Sequence, residues 1–301
     1  MGLLFYPRGG SAQVARYLSH ALNAQGWPVT LASGSLGPAG ALGHAQEFFA
    51  GIETVPAYYD EAVARFDAGG DPMDAPFPMQ PSYERREGVP DRSFTQVSPE
   101  QGARIVAAWS GLIGSSPALR RARVLHLHHV TPIHRAAADV LPDVPIITHL
   151  HGTELKMLQA IDDPAIEQGP HAAWWAERMG ESARAADATI VISPFQHGEA
   201  VRLLGLDAEA VHWLPDGVDV ERFSVTRPGV EERRTRWLEW LVRDPRGWDE
   251  ASGRPGSVRY SEAEVLDAFF DADGEPRPVL LFVGRFLGFK RVPLLVRAYA
   301  R

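Results

Sequence analysis

Short apolar runs alternate with stretches of helical spacing along this chain, a pattern that predicts strands separated by amphipathic helices. Leu3 to Tyr6 is apolar, Pro7 to Gly10 turns, Ser11 to Gln25 has helical spacing with Ser11 as N-cap, and Val29 to Ala32 is apolar again. Similar runs begin helical stretches at Val124 to His128, Pro145 to His149, Ala188 to Ile192 and Ala210 to Leu214. This alternation predicts an α/β fold, a doubly wound parallel sheet of the Rossmann-like kind with helices on both faces.

One more run closes the sequence. Pro278 to Val283 reads as a buried parallel strand, Gly284 to Lys290 as a turn with two cations, and Val292 to Arg301 as a helix. The expectation is that a second Rossmann-like domain begins here and is incomplete, giving domains at 1–223 and 278–301 with a linker or insertion at 224–277. Two stretches break the pattern. Residues 67–99 are rich in Pro, Gly and Asp, and a loop of that length is usually functional or disordered. Residues 224–277 are irregular except for Val230 to Val242, where Trp237, Leu238, Leu241 and Val242 share a helical face. That face reads first as ordinary packing, with peripheral membrane or partner contact as the other reading.

Composition narrows the classes. A net charge of -8 argues against nucleic acid as a partner, because neutralising phosphates needs a basic surface. The chain has no cysteine, which excludes disulfides and thiolate metal sites and fits a cytoplasmic protein. The first residues are too briefly apolar for a signal peptide or membrane span. Of 30 Lys plus Arg, the lysines are Lys156 and Lys290, so Lys290 in the terminal turn departs from a strong arginine bias that suggests a GC-rich bacterial genome.

Candidate chemistry gathers at the ends of the strands. Gly9 and Gly10 follow the first strand and would let a ligand approach the backbone at a helix N-terminus. In a doubly wound sheet the fourth strand lies beside the first, so His128 and His129 would end next to those glycines, with His149, His151, Thr153 and Glu154 one strand further on. His126 with His128, and His149 with His151, are i, i+2 pairs of a kind that can ligate zinc. Neutral histidine bonded to a sugar or phosphate is the preferred reading, and no metal site is assigned. Asp271-Ala272-Asp273 reads as a solvated turn, and Asp216-Gly217-Val218-Asp219 as a turn closing the N-terminal domain.

In order and spacing, five segments resemble the retaining glycosyltransferases of family four, which have the two-domain GT-B architecture. They are Arg8-Gly9-Gly10-Ser11 with the helix at Ala15 to Leu18, His149 to Glu154, Ala186 to Pro194, Leu214 to Phe223, and Phe282 to Arg285 continuing to Lys290. The resemblance implies transfer of a sugar from a nucleotide-diphosphate sugar to an acceptor with retention, with no cofactor or metal required. It assigns Gly9, Gly10, Arg285 and Lys290 to the donor diphosphate, which the two cations would clamp as negative charge develops on it. His151 would contact the transferred sugar as the catalytic candidate, and His128, His129, Thr153 and Glu154 would face sugar or acceptor. The family's Glu, seven residues, Glu pair does not follow Lys290 in these residues, so the expectation is that they bind donor weakly and do not turn over alone. The alternative is a non-catalytic split or degenerate transferase domain acting as a partner subunit. Donor, acceptor and oligomeric state stay open, as does contact with the inner face of the membrane.

Overall fold

The computed structural model describes residues 1–249, 254–284 and 288–300. These divide into two compact units, Met1–Asp219 and Val220–Arg301.

The first unit is built on a parallel sheet of seven strands. They are β1 (Gly2–Leu3), β2 (Thr30–Ser35), β3 (Glu53–Tyr58), β4 (Leu125–His128), β5 (Ile146–His149), β6 (Ala188–Val191) and β7 (Val211–Trp213). Their order is β3-β2-β1-β4-β5-β6-β7, so the winding reverses between β1 and β4, as the α/β reading expects. Leu3 pairs with Ser33 on one side and His128 on the other, and His128 pairs in turn with His149.

Strand β3 was not placed in the sequence. It carries Pro56, which cannot donate to a ladder, and it forms the edge of the sheet, where a missing donor is tolerated. The first helix also begins earlier than expected. It spans Gly9–Ala24 with Arg8 at the N-cap, so the two glycines lie in its first turn and Ser11 is inside the helix rather than capping it.

Elsewhere the helix signals are local and explicit. Ser98 and Gln101 form a capping box with Pro99 at N1 of the helix Pro99–Ser115, whose Ile105, Trp109 and Ile113 recur at four-residue spacing and are buried. Ser193 with Pro194 opens Pro194–Leu204, and Gly205 in the left-handed region closes it. The core joins Leu3, Leu4, Leu31, Tyr59, Phe94 and Trp109, all fully buried.

The loop at 67–99 is packed, not loose. Met73, Met79 and Gln80 have no exposed surface, the Gln80 amide oxygen accepts the Tyr6 N–H at 2.9 Å, and Trp175 Nε1 donates to the Val97 carbonyl at 2.8 Å.

In the second unit, the helix Val230–Leu238 runs into a π-helical turn, Glu239–Arg243, and a second helix spans Glu262–Phe269. Trp237 stacks on Phe269 at 4.1 Å and Leu238 is buried, so the apolar face of the first of these helices is packed within the protein. The strand expected at Pro278 to Val283 is not formed, and Leu281 and Val283 are 80% and 83% exposed. A strand needs a neighbouring ladder, and no described strand pairs with this segment. The following helix does form, as Val292–Tyr299.

Candidate functional site

The site forms where β1, β4 and β5 end. Residues two apart on a strand share a face, and His128 sits opposite His149 in the ladder, so His126, His128, His149 and His151 fall on one side of the sheet. They form a row of imidazoles. The rings of His126 and His128 stack at 4.9 Å, those of His128 and His149 at 5.2 Å, and those of His149 and His151 at 4.7 Å. Hydrogen-bond contacts cross the strands, with His126 Nε2 3.1 Å from His149 Nδ1 and His128 Nδ1 2.9 Å from His151 Nε2.

Burial keeps this row neutral. It pushes His126 down to about 3 and His149 to about 4, and holds His128 and His151 well below the ordinary imidazole range, with neighbouring imidazoles acting in the same direction. His126 and His151, at the two ends of the row, are half-buried, and of these His151 lies beyond the carboxyl end of β5. A neutral imidazole there can donate to or accept from a sugar hydroxyl.

Behind His151 lies a buried acid. Glu154 has no exposed surface, accepts the His151 backbone N–H at 2.9 Å, and faces His129 Nδ1 and Thr153 Oγ1, each at 3.3 Å. Burial alone would raise its pKa, but the charge and hydrogen bond of His129, with backbone N–H donors, bring it below the ordinary range. Glu154 is therefore a carboxylate in the first turn of the helix Thr153–Asp162, where the helix dipole favours negative charge. His129 itself has φ of 63°, a left-handed conformation that costs a non-glycine residue about 1–2 kcal/mol. Its N–H bonded to the His149 carbonyl at 2.8 Å and its ring against Phe5 and Tyr83 hold it there.

At the end of β1 the backbone is open. Gly9 has φ of 71°, and a Cβ on either Gly9 or Gly10 would meet nothing within 4 Å. Both sit exposed at the N-terminus of a helix of 16 residues whose first turn holds no acidic side chain, an arrangement suited to an anion. Arg8 beside them is tied down, donating to Tyr6 Oη at 2.8 Å and to Asp91 at 2.5 Å, and Arg86 donates to the same Asp91 oxygen.

Gly9, Gly10, His128, His129, His151, Thr153 and Glu154 thus all follow the carboxyl ends of the adjacent central strands β1, β4 and β5. Lys290 closes a short 3-10 turn, Gly288–Lys290, in the second unit, and Arg285 lies outside the described residues.

Asp216 belongs to the segment expected as a turn closing the N-terminal domain, and its Oδ1 is 4.0 Å from His149 Nε2. No spacing rule reaches from β5 to that loop. Gln196 was also missed. Its Oε1 accepts the Ile192 N–H at 3.1 Å, and its Nε2 closes against Gly152 so tightly that a Cβ there would lie 2.4 Å away. The Ser193-Pro194 cap sets the helix that carries it. Asp271-Ala272-Asp273 is a turn as expected, Asp271 Oδ1 accepting the N–H groups of Asp273 and Glu275.

A search of curated proteins found no match. The model of the family described as Glycosyltransferase Family 4 matches residues 8–222, which take in the glycine turn, the imidazole row, Glu154 and the Asp216 loop. That span is well over half of the chain, and the chain belongs to Glycosyltransferase Family 4.

Proposed function

We propose that this glycosyltransferase domain acts on a nucleotide-diphosphate sugar and passes the sugar to an acceptor with retention at the anomeric carbon, without a cofactor. The observation that carries this reading is the open glycine turn at a helix N-terminus, set beside a row of neutral imidazoles at the reversal of the sheet. Backbone N–H groups at Gly9 and Gly10 would receive the diphosphate. His151 would bond the transferred sugar and Thr153 would line the acceptor side, while Glu154 would hold His129 and the His151 backbone in place. His128, expected in the sequence to face sugar or acceptor, is fully buried and would instead support the His151 ring from behind.

The test is a panel of uridine- and guanosine-diphosphate sugars offered to the chain, with binding followed by calorimetry and any product by mass spectrometry and anomeric proton couplings. Saturable binding of one member, lost in a variant at Gly10, supports the reading. Binding of none, or a product of inverted configuration, overturns it. A second reading, a non-catalytic transferase domain that serves a partner subunit, is favoured by the exposed apolar run at Leu280, Leu281 and Val283. It expects donor binding to be absent with the fold intact.

A further inference from the structure

The imidazole row holds a feature that sugar transfer does not require. Each of His126, His128 and His149 offers a ring nitrogen, and these nitrogens all lie within 4.8 Å of one another. His128 and His149 are 0% and 4% exposed, yet Nε2 of each is buried with no hydrogen-bond partner among the described residues. Buried polar atoms are nearly always paired, and two orphans in one cluster call for a cause.

We propose that His126, His128 and His149 bind a divalent first-row transition metal of the zinc class. Three neutral imidazoles are the donor set such an ion takes, and on one ion at 2.0–2.1 Å their nitrogens would stand about 3.4 Å apart. His126 Nε2 and His149 Nδ1 are already 3.1 Å apart. The second nitrogen of each buried ring also has a use. With its Nδ1 on the ion, His149 would carry its proton on Nε2, whose facing carboxylate, Asp216 Oδ1, stands at 4.0 Å and would have to close by about 1 Å to accept it.

His128 Nδ1 contacts His151 Nε2 at 2.9 Å, which leaves its orphaned Nε2 for the ion. Binding would turn the stacked rings of His126 and His128, now 17° from parallel, about their Cβ–Cγ bonds, a soft torsion. A metal on His128 Nε2 fixes its proton on Nδ1, where it donates to His151 and sets that residue's tautomer. The ion would therefore be structural, an orienting element beneath the sugar-facing histidine.

The experiment uses untagged, metal-stripped protein. Zn²⁺ is titrated calorimetrically and Co²⁺ by its visible ligand-field absorption, which reports coordination number. One ion per chain is expected, with the spectrum of a four- or five-coordinate site in which water completes the three imidazoles. His126→Gln, at a half-buried position, and His128→Gln should each weaken binding at least about tenfold. His212→Gln, which removes an exposed imidazole on β7, should leave it unchanged. Circular dichroism and melting confirm folding, and if His128→Gln unfolds, His126→Gln decides. No stoichiometric binding by the wild type, or wild-type affinity in His126→Gln, overturns the site and leaves the row a hydrogen-bonded stack. Neither result depends on which sugar donor the protein takes.

Discussion

His129 Nδ1 stands 3.3 Å from Glu154 Oε2, a contact in which the acid has no exposed surface and the histidine is 4% exposed. Because Glu154 also takes the His151 backbone N–H and faces the Thr153 hydroxyl, one carboxylate joins the end of β4 to the loop after β5. Glu154→Ala leaves those donors buried without an acceptor and should destabilise the protein by about 3–5 kcal/mol. Glu154→Gln keeps one acceptor oxygen and should cost about 1–3 kcal/mol. Urea denaturation checks both. Equal stability of the Ala variant and the wild type would show that the pair does not organise the site.

Acid should unfold the protein through its histidines. Burial lowers His134 to about 4, against the hydrogen bond with the Thr131 carbonyl, while the unfolded chain titrates near 6.5. Between those values the unfolded state binds more protons, so stability is full above 6.5 and falls as pH drops toward 4. For His134 alone the slope is about 1.4 kcal/mol per pH unit, and the lowered values of His126 and His149 act in the same direction. Glu154, held low, adds stability above its unfolded pKa that is lost at still lower pH. Melting temperature should hold from pH 7.5 to about 6.5 and fall from there to 4.5, and His134→Gln should flatten that fall. A flat wild-type profile would sink this account.

The winding of the sheet was legible because hydrophobic runs are local: the apolar strands at β1, β2, β4, β5, β6 and β7 declare themselves within a few positions, whereas Ser11, expected to cap the first helix, lies inside it. The site was half legible. Spacing placed His126 with His128 and His149 with His151, but that the two pairs interleave depends on the register His128 to His149, which no single strand encodes. Asp216 and Asp91 reach their partners across loops, where neither period nor propensity operates. At Pro278 to Val283 the apolar pattern was strand-like, yet pattern alone does not make a strand without a ladder beside it.

Asp91 should prove to be what fixes the loop 67–99 against the glycine turn. It is 2% exposed and takes both Arg8 and Arg86 on one oxygen. Asp91→Ala removes the shared acceptor and leaves two guanidinium groups facing one another, which should cost about 1–3 kcal/mol because both keep access to solvent. Limited proteolysis should then cut within residues 82–93 first. Cleavage at the same sites and rate as in the wild type would show that the loop is held by its apolar core, Met73, Met79 and Phe94, without help from the ion pairs.

Gly10 separates folding from ligand binding. It is exposed, its backbone is outside the left-handed region, and a Cβ there would meet nothing within 4 Å. Gly10→Val should therefore change stability by no more than about 0.5 kcal/mol, as for other surface substitutions. If the diphosphate lies on this helix N-terminus, the valine side chain occupies its place, and donor affinity should fall at least tenfold, roughly 1.4 kcal/mol. Gly34→Ala is the contrasting case. Its Cβ would lie 2.5 Å from the Tyr59 ring, 2.7 Å from the Leu4 carbonyl and 2.7 Å from the Tyr6 nitrogen, so it should lose about 1–3 kcal/mol of stability through overpacking. Calorimetric donor titration beside thermal melting distinguishes the two. A Gly10→Val protein that binds donor as tightly as the wild type would move the diphosphate away from this turn and remove the support for the proposed donor site.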